Sequence, residues 1–169
     1  MKISKQGLDF IKSFEGLELE AYWDKRGGVW TIGWGHTRGV KKGQVITKEQ
    51  AEQFIRDDLA PIERHLTADL GEDGVLQCQF DALCSWIFNL RDGIRQYNTS
   101  TLRRKLKAGD YKGAADEFPR WCRSGGVVMN GLKRRRNAER VMFLQSGYVD
   151  FAVIMVIFVV MGFVMLVNL

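Results

Sequence analysis

Residues 15–37 read E-G-L-E-L-E-A-Y-W-D-K-R-G-G-V-W-T-I-G-W-G-H-T, and this run constrains the fold more than any other part of the chain. Residues 21–23 and 29–34 carry β-type side chains, and Lys25, Arg26, Gly27 and Gly28 between them have turn chemistry. The order predicts a helix end, a strand, a tight turn and a second strand. Such a hairpin brings Asp24 and Thr31 back beside the end of the helix that carries Glu15. Two carboxyl groups and a hydroxyl gathered in this way suit acid/base cleavage of a glycosidic bond. One carboxyl donates a proton to the leaving oxygen, and the other is ionised, to activate water or to stabilise positive charge on the sugar ring. Their surroundings must therefore differ, one partly desolvated and one solvated.

Glu15-Gly16-Leu17, Tyr22, Asp24 and the run Trp30-Thr31-Ile32-Gly33-Trp34-Gly35-His36-Thr37 resemble the catalytic signature of the phage-type lysozymes, or endolysins. Eight residues separate Glu15 from Asp24, as in that signature, and six separate Asp24 from Thr31, one more than is usual. The additional residue falls in the turn at 25–28. The resemblance extends over about residues 3–146, through Phe80-Asp81-Ala82-Leu83, Phe88-Asn89, Gly109-Asp110-Tyr111 and Gly131-Leu132 with Arg135-Arg136. It implies that Glu15 is the general acid, Asp24 the base or charge stabiliser, and Thr31 the residue that positions water or Asp24. It also implies substrate contacts by Phe88, Asn89 and Thr101, and hydrolysis of the β-1,4 bond between N-acetylmuramic acid and N-acetylglucosamine in peptidoglycan.

Ser4 caps a first helix with Leu8, Ile11 and Phe14 on one face, in which Gly7 costs ~1 kcal/mol relative to alanine. That helix ends near Glu15 and Gly16, where the dipole disfavours an anion. The small β-lobe extends to about Val45. Thr47 and Gln50 form a capping box, and Ala51, Phe54, Ile55, Leu59, Ile62 and Leu66 carry a helical stripe to about residue 66. Pro61 within the stripe predicts a kink or break near Leu59 and Ala60. Residues 71–74 read as a loop, and residues 75–90, apolar on several faces, as a central core helix. Asn98, Thr99, Ser100 and Thr101 form an N-cap cluster for a helix over 102–108. Residues 111–118 are expected to form a short helix ended by Pro119, and residues 124–126 a turn. In the last helix Leu132, Val141 and Leu144 are expected to pack inward. The cluster Lys133-Arg134-Arg135-Arg136 has two readings: a solvated helix face, or a set in which Arg135 or Arg136 pairs with Glu15 or binds substrate carboxylates.

The formal net charge is +5, and every charged residue precedes residue 151. A basic surface suits an anionic polymer such as the cell wall. No nucleic-acid-binding motif is visible, so nucleic acid is not expected as a partner. Cys78, Cys84 and Cys122 match no zinc spacing and read as reduced core or near-core residues; with two histidines, neither a metal site nor a cofactor is expected. Residues 151–169 then run for nineteen positions without a charge. As a helix they would span ~28 Å, close to the hydrocarbon core of a bilayer.

The expected architecture is α+β: a mainly helical, two-lobed lysozyme-like domain with a small β-hairpin lobe over residues 1–148, then a transmembrane helix over 149–169. The basic residues ahead of the span, and the lack of a signal peptide, favour the cytoplasm for the domain before lysis; the alternative is a domain active in the periplasm with the tail pointing inward. The chain is then a monomeric, single-pass protein of the host inner membrane, its tail in the lipid bilayer. It acts on the periplasmic peptidoglycan once a separate, holin-like protein has breached the membrane. The competing reading is a membrane-anchored wall-binding or membrane-disrupting protein without catalysis.

Overall fold

Ser4 opens helix α1 (Lys5–Phe14) by accepting a hydrogen bond from the Gly7 N–H, and Asp81 in turn accepts from the Ser4 N–H at 2.9 Å and the Ser4 hydroxyl at 2.5 Å. This joins the start of α1 to helix α3 (Gln77–Asn89). A Cβ at position 7 would lie 2.5 Å from the Asp81 carboxyl carbon. The glycine that weakens α1 locally is therefore what lets the two helices approach. The computed structural model describes residues 1–25 and 27–145. The expected transmembrane helix lies outside the described residues, among which no helix is long and apolar enough to cross a membrane.

Strands β1 (Glu18–Asp24) and β2 (Val29–Gly33) pair antiparallel, with Tyr22 opposite Thr31, Trp23 opposite Trp30 and Asp24 opposite Val29. Gly28 takes the positive φ of 65° that the turn requires. An irregularity between Glu18 and Tyr22 bends β1, and the chain returns along its other side. There the Ala21 N–H donates to the Gln44 carbonyl at 2.8 Å and the Ile46 N–H to the Leu19 carbonyl at 2.9 Å. The small lobe thus reaches Val45, which bridges to Glu20.

Thr47 and Gln50 form the expected capping box at the start of α2 (Lys48–Leu70). The helix is not broken at Pro61. The ring removes one N–H, the partner of the Asp57 carbonyl, while buried Leu59, Ile62 and Leu66 hold both sides of the proline on the core. Packing overrides the local signal, and α2 continues to Gly71. Helix α3 is buried almost all round, as its composition predicts, and packs against α1, α2, α4 (Gly93–Thr99) and α7 (Asn130–Leu144). Cys84 lies fully buried within it, and burial pushes its thiol well above the ordinary range.

Other expectations are corrected. Helix α4 occupies residues for which no helix was expected, and Ser100 ends it while capping α5 (Thr101–Lys107). Residues 111–118 do not form one helix: α6 (Tyr111–Ala115) stops early, and a 3-10 turn (Phe118–Trp121) follows. Pro119 enters the first positions of that turn, where a missing N–H is harmless. The glycine turn at 125–126 joins a second hairpin, β3 (Arg123–Ser124) with β4 (Val127–Val128). On α7, Val141 and Leu144 face solvent and Leu132 is half-buried; the inward face is Arg135, Arg136, Glu139, Met142 and Phe143.

Asp69 fastens α2 to α4 and α5. It accepts from Arg103 Nε and Nη2 at 2.9 and 2.6 Å and from the Tyr97 hydroxyl at 2.7 Å. The Arg103 guanidinium holds the Asp69 carboxyl well below the usual carboxylate range, against the opposing effect of burial. Because the folded value is depressed, the stabilisation is present above the ordinary carboxylate range and is lost as pH falls through the folded value. Asp69→Asn is expected to lower unfolding free energy by about 2 kcal/mol at neutral pH. Urea midpoints measured against pH should show the gap to wild type closing as pH drops below about 4.

Candidate active site

Glu15 is the C-cap of α1, placed by the buried Leu8 and Ile11 that fix the helix on the core. Its side chain is 23% exposed, and Arg135 Nη1 donates to Oε1 at 2.5 Å. Of the two readings of the basic cluster, Arg135 therefore follows the pairing one, whereas Lys133 and Arg134 are exposed. Arg135 Nε donates to Glu139 Oε1 at 3.1 Å, and its guanidinium lies 5.4 Å from the centre of the Phe14 ring. Arg136, completely buried, pairs with Glu139 Oε2 at 2.8 Å and donates to Asn89 Oδ1 at 3.0 Å. Ser85 adds a hydroxyl donor to Glu139 Oε1 at 2.7 Å. Burial pushes the Arg136 guanidinium down to about 10 and the Glu139 carboxyl up, each against the attraction of its oppositely charged neighbours.

The cluster thus alternates acid, base, acid and base from the end of α1 along α7, with neutral Ser85 and Asn89 of α3 bonded to it. Glu139 is the functional residue that sequence reasoning passed over. The spacing could have revealed it, since it stands four residues after Arg135 and three after Arg136 on one helix face.

Two cavities meet at Glu15, Asn89 and Leu90. One, of ≈ 680 Å³, runs between the small lobe and the helices, past Trp34, Thr37, Asp58 and Phe88. The other, of ≈ 710 Å³, lies toward α7 and the second hairpin and is lined by several arginines. Two contacts brace the small lobe beside the first. His36 Nδ1 is 2.8 Å from Asp58 Oδ2, its ring stacked on Phe54, and Lys12 lies 4.4 Å over the Trp34 ring while pairing with Glu52 at 2.9 Å.

Asp24 and Thr31 sit on the hairpin and line neither cavity. Asp24 ends β1, where its carboxylate accepts from the Gly27 N–H at 3.1 Å. Thr31 is buried, and its hydroxyl has no hydrogen-bond partner among the described residues. Tyr22 stands directly opposite Thr31, and its phenol is pushed up first by burial and then by the negative charges of Asp24, Glu18 and Glu15. Of the expected substrate contacts, Phe88 and Asn89 line the cleft, whereas Thr101 opens α5, accepts from Arg104 at 3.1 Å and lines neither cavity. Among the described residues no cluster of histidine, cysteine or carboxylate side chains is placed to hold a metal ion.

Removing Glu139 leaves two buried guanidinium groups short of a counter-charge. Glu139→Gln, which conserves volume, is expected to cost about 3 kcal/mol of unfolding free energy. Chemical denaturation checks it, and a loss below about 0.5 kcal/mol would mean that the cluster is not held by charge.

A phage lysozyme family model matches residues 12–139. The endolysin of Acyrthosiphon pisum secondary endosymbiont phage 1 is 44% identical over 147 residues, covering 85% of this chain and 98% of that one. The SAR-endolysin of Enterobacteria phage P21 is 35% identical over 133 residues, 77% of this chain and 79% of that one. The solved endolysin from Escherichia coli O157:H7 phage FAHEc1 superposes with a TM-score of 0.77 at 39% identity, over 88% of this chain and 96% of that one. With a glutamate at the mouth of a cleft, and with likeness in sequence and in structure along the same span, this chain belongs to the phage lysozyme family, as a peptidoglycan-lysing endolysin of the muramidase type.

Proposed function

We propose that Glu15 is the general acid of this muramidase. The observation that carries the assignment is its place at the junction of the two cavities, fixed by Arg135. Glu15 gives a proton to the glycosidic oxygen as the bond to the sugar C1 breaks. Water adds to C1: either Asp24 takes the proton from that water, or Asp24 stabilises the cation-like ring until water arrives and the Glu15 carboxylate takes the proton back. The partnerless Thr31 hydroxyl orients the water or the Asp24 carboxylate. Phe88 and Asn89 form the floor on which the glycan rests.

Two substitutions test the roles. Glu15→Gln should lower the release of reducing ends from purified peptidoglycan by about 10²–10⁴-fold. Turnover within about fivefold of wild type would remove Glu15 from the chemistry, whereas lysis of cells by the variant equal to wild type, with hydrolysis lost, would favour a wall-binding or membrane-disrupting action. Thr31→Val deletes a buried hydroxyl that bonds to nothing described, so it should stabilise the fold by about 1 kcal/mol while slowing hydrolysis. A stability loss without a rate loss would mark the hydroxyl as structural.

We further infer that residues 151–169 tether the monomeric chain to the host inner membrane, with the enzyme domain on the cytoplasmic side until a holin-like protein opens the bilayer. The nineteen uncharged residues support the tether, the basic residues of α7 support the orientation, and likeness to a relative named SAR-endolysin supports a membrane-linked route. Spheroplasts expressing full-length Glu15→Gln protein should keep the domain in the membrane fraction and protected from added protease. Digestion would reverse the orientation, and recovery in the soluble fraction alone would remove the tether.

A further inference from the structure

Residues 33–35 form a tight turn between Ile32 and His36, which exchange backbone hydrogen bonds of 2.9 Å in both directions. Gly33 and Gly35 take positive φ values of 64° and 92°, so the chain folds back with Trp34 at the apex. A side chain at a turn apex ordinarily stands in solvent, yet Trp34 is only 6% exposed. Lys12 of α1 covers it, with the ammonium 4.4 Å over the indole ring, and Glu52 of α2 holds that ammonium at 2.9 Å. A cation over the ring occupies a face and leaves the ring edge free, and the indole N–H lies in that edge. The N–H of Trp34 has no hydrogen-bond partner among the described residues. Unlike the N–H of Trp86, it is not enclosed. Trp34 lines the ≈ 680 Å³ cleft that also holds Glu15, and Ile62, Ile87, Phe88 and Leu90 supply apolar wall there. A largely buried indole ordinarily gives its N–H to an acceptor, and here that donor is left for a molecule that enters the cleft.

We propose that the Trp34 N–H donates to the carbonyl oxygen of an N-acetyl group on the glycan, and that Lys12 is the positioning residue that aims it. The proposal deepens the muramidase reading above and rests on it. An indole nitrogen can only donate, so its partner is an acceptor. N-acetylmuramic acid and N-acetylglucosamine both carry an acetamido group, which joins a carbonyl acceptor to a methyl group. A single donor set in an apolar wall matches that pair, whereas a sugar hydroxyl has no methyl group to use the wall. A site built around one donor disfavours a sugar that lacks the acceptor. Trp34 therefore makes the enzyme select N-acetylated glycan over the same glycan with free amino groups. Lys12 acts through Trp34: without the ammonium the ring is free to turn its edge away from the cleft.

The test uses the detergent-solubilised full-length chain and one preparation of sacculi, half of it N-deacetylated enzymatically. Deacetylation should raise the wild-type KM and change kcat little, the pattern of a binding contact. Trp34→Phe keeps a ring and deletes the N–H. It should raise KM on untreated walls about three- to tenfold and lower the ratio of the two KM values by the same factor. The ammonium that deacetylation leaves on the sugar acts on both proteins alike and cancels from the comparison of ratios. Lys12→Met should lower the ratio too, Lys12→Arg should restore it, and in the Trp34→Phe background Lys12→Met should change it no further. A wild-type ratio in Trp34→Phe, with untreated walls still cleaved, would overturn the donor and leave the muramidase reading standing. A loss of stability in Lys12→Met with a wild-type ratio would overturn its positioning role. If Trp34→Phe does not fold, the indole N–H resonance of Trp34 in the Glu15→Gln chain decides the matter. It should move when an N-acetylated glycan oligomer binds, and an unmoved resonance at saturation would overturn the donor. Cleavage of neither wall by the wild-type chain would remove the muramidase reading and this one with it.

Discussion

Arg135 is buried on folding, so its guanidinium needs hydrogen-bond partners in the protein, and Glu15 and Glu139 supply them. That requirement brings the end of α1, the middle of α3 and the first half of α7 to one point. Arg136, Ser85 and Asn89 complete the arrangement with hydrogen bonds to Glu139 and Arg136, although Arg136 Nε and Nη1 and Glu139 Oε2 find no hydrogen-bond partner among the described residues. The glutamate at the edge of this cluster is the part that solvent reaches. A helix C-cap would otherwise be free to fray, and here it is anchored by a guanidinium from the far end of the domain.

The small lobe solves a different problem. Its hairpin is short, and a two-stranded sheet is marginal alone. It is fixed by the return strand at Gln44–Ile46, by His36 against Asp58 and Phe54, and by Lys12 beneath Trp34. These contacts set the width of the cleft in which a glycan would lie. The domain thus has two kinds of brace, one charged and buried in the helical body, the other aromatic and at the lobe junction.

Local chemistry was legible in the sequence where it was decisive locally. The hairpin follows from β-type residues on either side of Gly27 and Gly28, the start of α2 from Thr47 and Gln50, and the central position of α3 from its lack of a polar face. What stayed hidden was set by distant partners. Pro61 reads as a kink or a break, and that the helix runs on through it becomes clear only once Leu59 and Ile62 are known to be buried on both sides of it. Gly7 reads as a weakness until Asp81 is placed against it. Arg135 and Arg136 read equally well as surface charges, because Glu15 and Ser85 lie 120 and 50 residues away from Arg135. Glu139 was legible in principle, from its spacing on α7. The lone hydroxyl of Thr31 was not, since burial without a partner is a property of packing and not of residue type.

The central claim is that the bond to be broken lies at Glu15, where the two cavities meet. A crystal structure of the full-length Glu15→Gln variant with a peptide-bearing glycan oligomer tests it directly. The account predicts the bridging oxygen within about 3 Å of the side chain at position 15, with sugar rings along Trp34 and Phe88. A glycan seated with its scissile bond at Asp58 or Asp92 instead would contradict it.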